Sequence, residues 1–193
     1  MPNERLRLIL ASASPRRLDL LAQIGIVPDG VDPAEVGEAV EKGELPADVV
    51  RRLAETKARC VAERNPGALV LGADTVVACG RRIMPKAHDE EQAGRILGFL
   101  SGRRHRVYGG IVLIDAKGAA HRRLVVTAVS FKRLEALEID AYLASGEWRD
   151  KAGAYAIQGR AGAFVQKING SYSNVVGLSL FETVSLLKGQ GFR

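Results

Sequence analysis

The sequence predicts an α/β fold, and three observations carry that prediction. An apolar stretch, Leu6 to Leu10, runs directly into a helix start at Ser14-Pro15. A longer apolar run, Ala68 to Cys79, has the character of a buried strand, and helical and strand patterns are interleaved through the rest of the chain. With 193 residues, 47% of them hydrophobic, the chain is long enough for a substantial core and short enough for one domain over residues 1–193, with room for two lobes.

In order, Leu6, Leu8, Ile9 and Leu10 read as a short buried strand. Ser14 reads as a helix N-cap with Pro15 at the first helical position, and Leu18, Leu20, Leu21 and Ile24 carry that helix to Gly25. Pro28 to Pro46 is a polar connection containing Glu35, Glu38, Glu41 and Glu44. A helical pattern runs from Ala47 to about Arg64, where Asn65-Pro66-Gly67 stops it. Ala68 to Cys79 is apolar on both faces and is expected at the centre of a sheet. Arg81 to Pro85 turns the chain, and Asp89 opens a helix whose stripe is Ala93, Ile96, Leu97 and Leu100. Strands are expected at about 106–115 and 121–131, joined by an Asp115 to Gly118 hairpin. Leu137 to Ser145 is helical, Lys151 to Gly170 is glycine-rich, and Gly177 to Gly189 reads as a final amphipathic helix.

Several function classes are disfavoured. No apolar run reaches the roughly 18 residues of a membrane span, and Met1-Pro-Asn-Glu-Arg has the character of neither a signal nor a transit peptide, so a cytoplasmic protein without membrane partners is expected. Cys60 and Cys79 stand in no metal-ligand or disulfide spacing and read as packing residues. The net charge of +6 invites a nucleic-acid reading. Only 5% of residues are aromatic, however, and the arginines are scattered as pairs apart from Ser101-Gly-Arg-Arg-His-Arg106, so no nucleic-acid partner is expected. A small polyanionic substrate accounts for the charge equally well.

The strand-to-helix corner at residues 12–17 suits such a ligand. Free N–H groups and the positive dipole end of a helix favour an anion, Arg16 and Arg17 add charge, and Ser12 and Ser14 add hydroxyl donors. The alternative is an ordinary capped helix with two solvated arginines. Asp74 is the one charge in the apolar run 68–79. Burying it is costly unless it is paired, bound to a metal, or satisfied by backbone donors at a strand irregularity beside Gly72. Lys57, four residues after Leu53, falls near the apolar helix face, where it either snorkels past the core or reaches into a cleft. Gln158, in Ile157-Gln-Gly159, either satisfies turn backbone groups or meets a ligand.

With Ser12-Ala-Ser-Pro-Arg-Arg17, Leu71-Gly-Ala-Asp-Thr75, Ala152-Gly-Ala-Tyr-Ala-Ile-Gln-Gly159 and Ile168-Asn-Gly-Ser-Tyr172 in this order, the chain resembles the Maf family of nucleoside triphosphate pyrophosphatases from about residue 7 to 190. Its Gly-Ala-Asp-Thr and Ile-Gln-Gly forms resemble the branch associated with dTTP and UTP. The resemblance implies a mixed, elongated sheet flanked by helices, with two lobes and a central cleft, of the Maf/ITPase-like kind. It implies hydrolysis of a nucleoside triphosphate to the monophosphate and pyrophosphate with a divalent metal, and oxygen-rich ligands favour Mg²⁺ or Mn²⁺. On this resemblance Asp74 is the catalytic acceptor, Arg16 the first signature arginine, and Thr75 and Gln158 the specificity positions. Lys57, Lys86, Glu38 and Lys167 match cleft positions; Arg16, Lys57 and Lys86 would neutralise the phosphates, and Glu38 would join Asp74 at the metal. The chain departs from the pattern at Pro85-Lys-Ala87, Gly37, Gly109 and Ser179. The expected partner is the nucleoside triphosphate, and a homodimer is compatible with the reading. The rival classes are a nucleotide-binding regulator linked to cell division, which would use the same cleft without turnover, and a basic RNA-binding module.

Overall fold

Leu8, Ile9 and Leu10 are all buried and form strand β1 (Leu8–Leu10) in the computed structural model, which describes residues 6–192. Pro15 opens α1 (Pro15–Gln23), and Gly25, at φ +72°, ends it by taking the left-handed conformation. The polar connection holds only β2 (Gly30–Val31) before α2 (Pro46–Arg64), and β3 (Leu69–Cys79) follows. The next elements are β4 (Arg82–Met84), α3 (Glu90–Leu100), β5 (Arg104–Ile114), β6 (Ala120–Phe131) and α4 (Ala136–Ala144). A 3-10 helix (Arg160–Phe164), β7 (Val165–Asn169), α5 (Tyr172–Val176) and α6 (Leu180–Gly189) complete the chain.

The seven strands form one mixed sheet in the order β2-β1-β3-β5-β6-β7, with β4 paired to the far end of β3. Contacts of β1 with β2 and β3 are parallel, and the remaining pairs are antiparallel. Alternation along the strands sorts their side chains to two faces. Leu8, Leu10, Leu71 and Leu113 pack with Leu20 and Leu21 of α1 and Leu186 and Leu187 of α6. Ile9, Val70, Val112 and Ile114 pack instead with Ala54, Ala58 and Val61 of α2. A second core lies at the other end of the long strands, where Val77, Val107 and Val129 meet Ile96 and Leu97 of α3, Tyr142 and Leu143 of α4, Trp148 and Phe164. These two cores are the lobes that the sequence leads one to expect, and β3, β5 and β6 run through both.

Helix α2 lies unusually close to the sheet because two glycines admit it. A Cβ on Gly72 would stand 2.7 Å from the Ala54 carbonyl oxygen, and one on Gly110 would stand 2.4 Å from the Val50 carbonyl oxygen. Both obstacles are backbone, so neither can swing away. Gly110→Ala is therefore expected to lower unfolding free energy by about 1–3 kcal/mol, the usual size for overpacking. Urea denaturation checks this, and an unchanged midpoint would mean that α2 is not seated as described.

The structure differs from the sequence expectation in three places. The turn at 81–85 contains the short strand β4, which extends the sheet by antiparallel pairing with Val77, Ala78 and Cys79. The glycine-rich segment hides β7, an edge strand without a buried residue, whose pattern therefore lacks apolar alternation. The final helix begins at Leu180 because Gly177, at φ +142°, breaks it from α5. Cys60 and Cys79 are free thiols. No helix among the described residues is long and apolar enough to cross a membrane, and the leader-type reading of Met1 to Arg5 lies outside the described residues.

Candidate active site

Between the two lobes lies a cleft of about 380 Å³, walled on one side by the 11–17 corner, Lys57, Asp74 and Thr75, and on the other by residues 150–152, Tyr155 and Gln158. Alternation along β3 explains its central feature. Gly72, Asp74 and Val76 share the face that α2 covers; Gly72 admits Ala54 and Ala58, Val76 packs with Val49, Val50 and Leu53, and Asp74 meets what α2 offers between them. That group is Lys57. Its Nζ donates to Asp74 Oδ1 at 2.7 Å and to Glu38 Oε1 at 2.5 Å, while Lys86 Nζ approaches Glu38 Oε2 at 3.3 Å. Acid and base thus alternate along a chain of four residues drawn from β3, α2, the 28–46 connection and the end of β4.

Asp74 is 8% exposed and Lys57 likewise 8%, so their pairing is enclosed, and Asp74 is satisfied by a cation instead of backbone donors. Lys57 reaches the cleft; it does not snorkel. Burial pushes the Glu38 carboxyl up, but the hydrogen bond and charge of Lys57 and the nearby Lys86 outweigh it and hold the group below the usual carboxylate range.

The 12–17 corner is built differently from a side-chain-capped helix. Ser14 occupies the N-cap position, but its hydroxyl makes no capping hydrogen bond. Ser12 Oγ holds the turn instead, accepting from Ser14 N at 3.2 Å and from Arg17 Nη1 at 2.8 Å. Arg17, expected to face the ligand, lines the cleft but is only 9% exposed, and its guanidinium is engaged by protein groups. Besides Ser12, it donates to the Gly177 carbonyl at 2.9 Å and to Thr75 Oγ1 at 3.3 Å, fastening α1, β3 and the α5–α6 junction together. Burial lowers its pKa, and the Asp74 charge opposes that shift. Arg16 stays half-buried on the cleft wall, where its Nη2 reaches the Asp150 carbonyl on the facing lobe at 3.4 Å.

Gln158 lines the cleft with an exposed side chain that makes no hydrogen bond to any described residue, so it does not serve its own turn. Thr75 stands opposite at the base of the first wall. Tyr155 lines the cleft, is 5% exposed, packs its ring edge-on against His105 and Phe131, and pairs its hydroxyl with His105 Nε2 at 2.9 Å. Burial lowers the pKa of His105 to about 4, so its imidazole is neutral at pH 7.

Lys167 is not brought to this cleft. It is exposed on β7, in register with Ser130, and lines a separate shallow depression with Arg104 and Asn169, because edge pairing with β6 turns that strand's polar face outward. Sequence reasoning does not single out Lys151, which does line the cleft; its only signal is its position directly before the Ala152 to Gly159 motif.

The fit to a divalent ion can be judged from the donor set. No group of three or more His, Cys, Asp or Glu residues suited to an ion occurs among the described residues. Asp74 and Glu38 provide two carboxylates bridged by one lysine, and Asp74 Oδ2 has no protein partner among the described residues. Such a pair suits Mg²⁺ or Mn²⁺, which are held through one or two carboxylates with phosphate oxygens completing the shell, and it does not suit zinc.

Residues 7–190 match the family described as Maf-like protein. A protein named dTTP/UTP pyrophosphatase from Paramagnetospirillum magneticum is 65% identical over 185 residues, covering 96% of this chain and 97% of that one. One of the same name from Rhodospirillum rubrum is 60% identical over 186 residues, covering 96% and 89%. Among solved structures, a HAM1 protein from Coxiella burnetii aligns with a TM-score of 0.46 at 18% identity, over 67% of this chain and 74% of that one.

Proposed function

We propose, from the premise that this chain belongs to the Maf-like protein family, that it is a nucleoside triphosphate pyrophosphatase that hydrolyses dTTP and UTP to the monophosphate and pyrophosphate. The observation that carries the reading is the Asp74–Lys57–Glu38–Lys86 array, enclosed at Asp74 and Lys57 and open to the cleft at Glu38 and Lys86, beside the helix end at Arg16 that no side chain caps. In this reading Asp74 accepts a proton from water as its oxygen attacks the α-phosphorus. The bond from that phosphorus to the bridging oxygen breaks, and the electron pair leaves with pyrophosphate. Arg16, Lys57 and Lys86 hold the phosphate charge, so most of the rate comes from positioning and electrostatics. Asp74 and Glu38 would hold a divalent ion, which when bound would supply Lewis-acid polarisation of phosphate oxygens. Arg17 and Ser12 act indirectly, by fixing Thr75 and the corner.

The test is release of pyrophosphate from UTP, dTTP, CTP and ATP with and without Mg²⁺ or Mn²⁺. Metal-dependent release from UTP and dTTP supports the reading, and affinity without product would make the protein a nucleotide binder.

Gln158 is proposed to read the base. Uracil and thymine offer an O4 acceptor beside an N3–H donor, which one carboxamide matches with its NH₂ and C=O together. The free amide of Gln158 has both groups available, and a neighbour such as Thr75 must fix its flip, because the other flip fits cytosine. Gln158→Glu removes the donors and sets a carboxylate against O4. It should depress kcat/KM for UTP and dTTP by about 1–3 kcal/mol relative to CTP. Equal losses for all three nucleotides would move base reading to other residues.

A further inference from the structure

We infer that Lys151 is a further substrate-binding residue, holding the phosphate chain from the lobe opposite Arg16; this rests on the reading of the cleft as a nucleoside triphosphate site. The backbone around it is tightly determined. Trp148 is 4% exposed and donates its indole N–H to the Leu143 carbonyl at 3.1 Å, which anchors the segment to the second core. Asp150 then adopts φ +57°, and Gly153 adopts φ +73° where a Cβ would stand 2.9 Å from Val77, so the chain reverses sharply against β3. Ala152 pairs with Lys86 in an isolated antiparallel bridge, and Gly153 N donates to the Met84 carbonyl at 3.2 Å. Lys151 is thereby held between Lys86 on one side and the tip of Arg16, bonded to the Asp150 carbonyl, on the other.

Its side chain is in an unbalanced position. The ammonium is half-buried, and its only hydrogen bond is to the Arg149 carbonyl at 2.9 Å; no carboxylate pairs with it among the described residues. Burial, and after it the charge of Arg16, lower its pKa, with Asp150 and Glu147 opposing. Elsewhere the chain pairs such cations with acids, as with Arg52 and Glu44, Arg64 and Asp32, and Arg122 and Glu55. Here Arg16 and Lys151, neither with a carboxylate within ion-pair distance among the described residues, line one cleft with Lys86, whose one acid partner, Glu38, is shared with Lys57, and an incoming polyphosphate is the counter-charge that satisfies them together. A phosphate contact carries no base information and is made in ground and transition states alike, so it should appear in KM more than in kcat.

The experiment compares wild type, Lys151→Met and Lys151→Arg for hydrolysis of UTP, dTTP and CTP, and for inhibition by inorganic pyrophosphate and by uridine. Lys151→Met should raise KM by about tenfold, the size of one charge-assisted contact, equally for all three nucleotides and with kcat within about twofold. Pyrophosphate inhibition should weaken by a similar factor, uridine inhibition should not change, and Lys151→Arg should restore most of the loss. Unchanged pyrophosphate inhibition in Lys151→Met, or an equal weakening of uridine inhibition, overturns the inference while leaving the pyrophosphatase reading intact. Absence of pyrophosphate release by the wild type would sink both.

Discussion

Asp74→Asn should leave the protein folded and lower turnover of UTP and dTTP by at least about a hundredfold, the low end for loss of a general base. The substitution is nearly isosteric, and its carboxamide oxygen still accepts from Lys57 Nζ at the position of Oδ1, so the enclosed contact that seats β3 against α2 persists. What disappears is the negative charge and the basicity of the second oxygen, Oδ2, which Lys57 does not engage. Circular dichroism and a thermal melt establish folding, and steady-state pyrophosphate release measures the rate. A folded variant with near-normal turnover would reduce Asp74 to a structural partner of Lys57.

Lys57→Met makes the complementary case, and its main effect should be on stability. The thioether side chain keeps the apolar stem that packs along α2 but strands Asp74, whose side chain is 10% exposed, with Glu38 close by as a like charge. Breaking an enclosed pair by removing one partner typically costs 3–5 kcal/mol. We expect about 3 kcal/mol at pH 7, the lower end, because Arg17 leaves positive potential near Asp74 and Glu38 is open to water. Guanidinium unfolding at pH 7 reads the deficit, and an unchanged midpoint would contradict this account. Activity should fall with it, since the same ammonium is proposed to face phosphate.

How much of this was legible in the sequence follows from how local each signal is. Asp74 stands out because a charge inside an apolar strand has few affordable explanations. Lys57 follows from helical spacing alone, which puts it on the covered face of α2. The role of Arg17 is not legible, because its three partners lie 5, 58 and 160 residues away and only the folded sheet brings them together. Ser14-Pro15 correctly marks the start of α1, yet the hydroxyl that organises the corner belongs to Ser12. For Gln158 the local turn leaves both readings open, and only the family resemblance favours the ligand. Lys167 likewise enters through the resemblance, and here the structure differs: β7 is an exposed edge strand that carries Lys167 to a depression outside the cleft.

The passage of β3 and β5 through both cores has a kinetic consequence. Nine successive residue pairs, from Val70 with Ile114 to Ala78 with Arg106, lock these strands beneath the cleft, and no linker separates the lobes. The walls cannot swing as two bodies about a hinge; moving them apart would require twisting a continuous hydrogen-bonded ladder. Nucleotide capture should accordingly be a single bimolecular step whose observed rate rises linearly with concentration, with no plateau from a slow closing isomerisation. What adjustment the site makes falls to residues 32–45, the part of the polar connection that lies between β2 and α2 and outside the sheet.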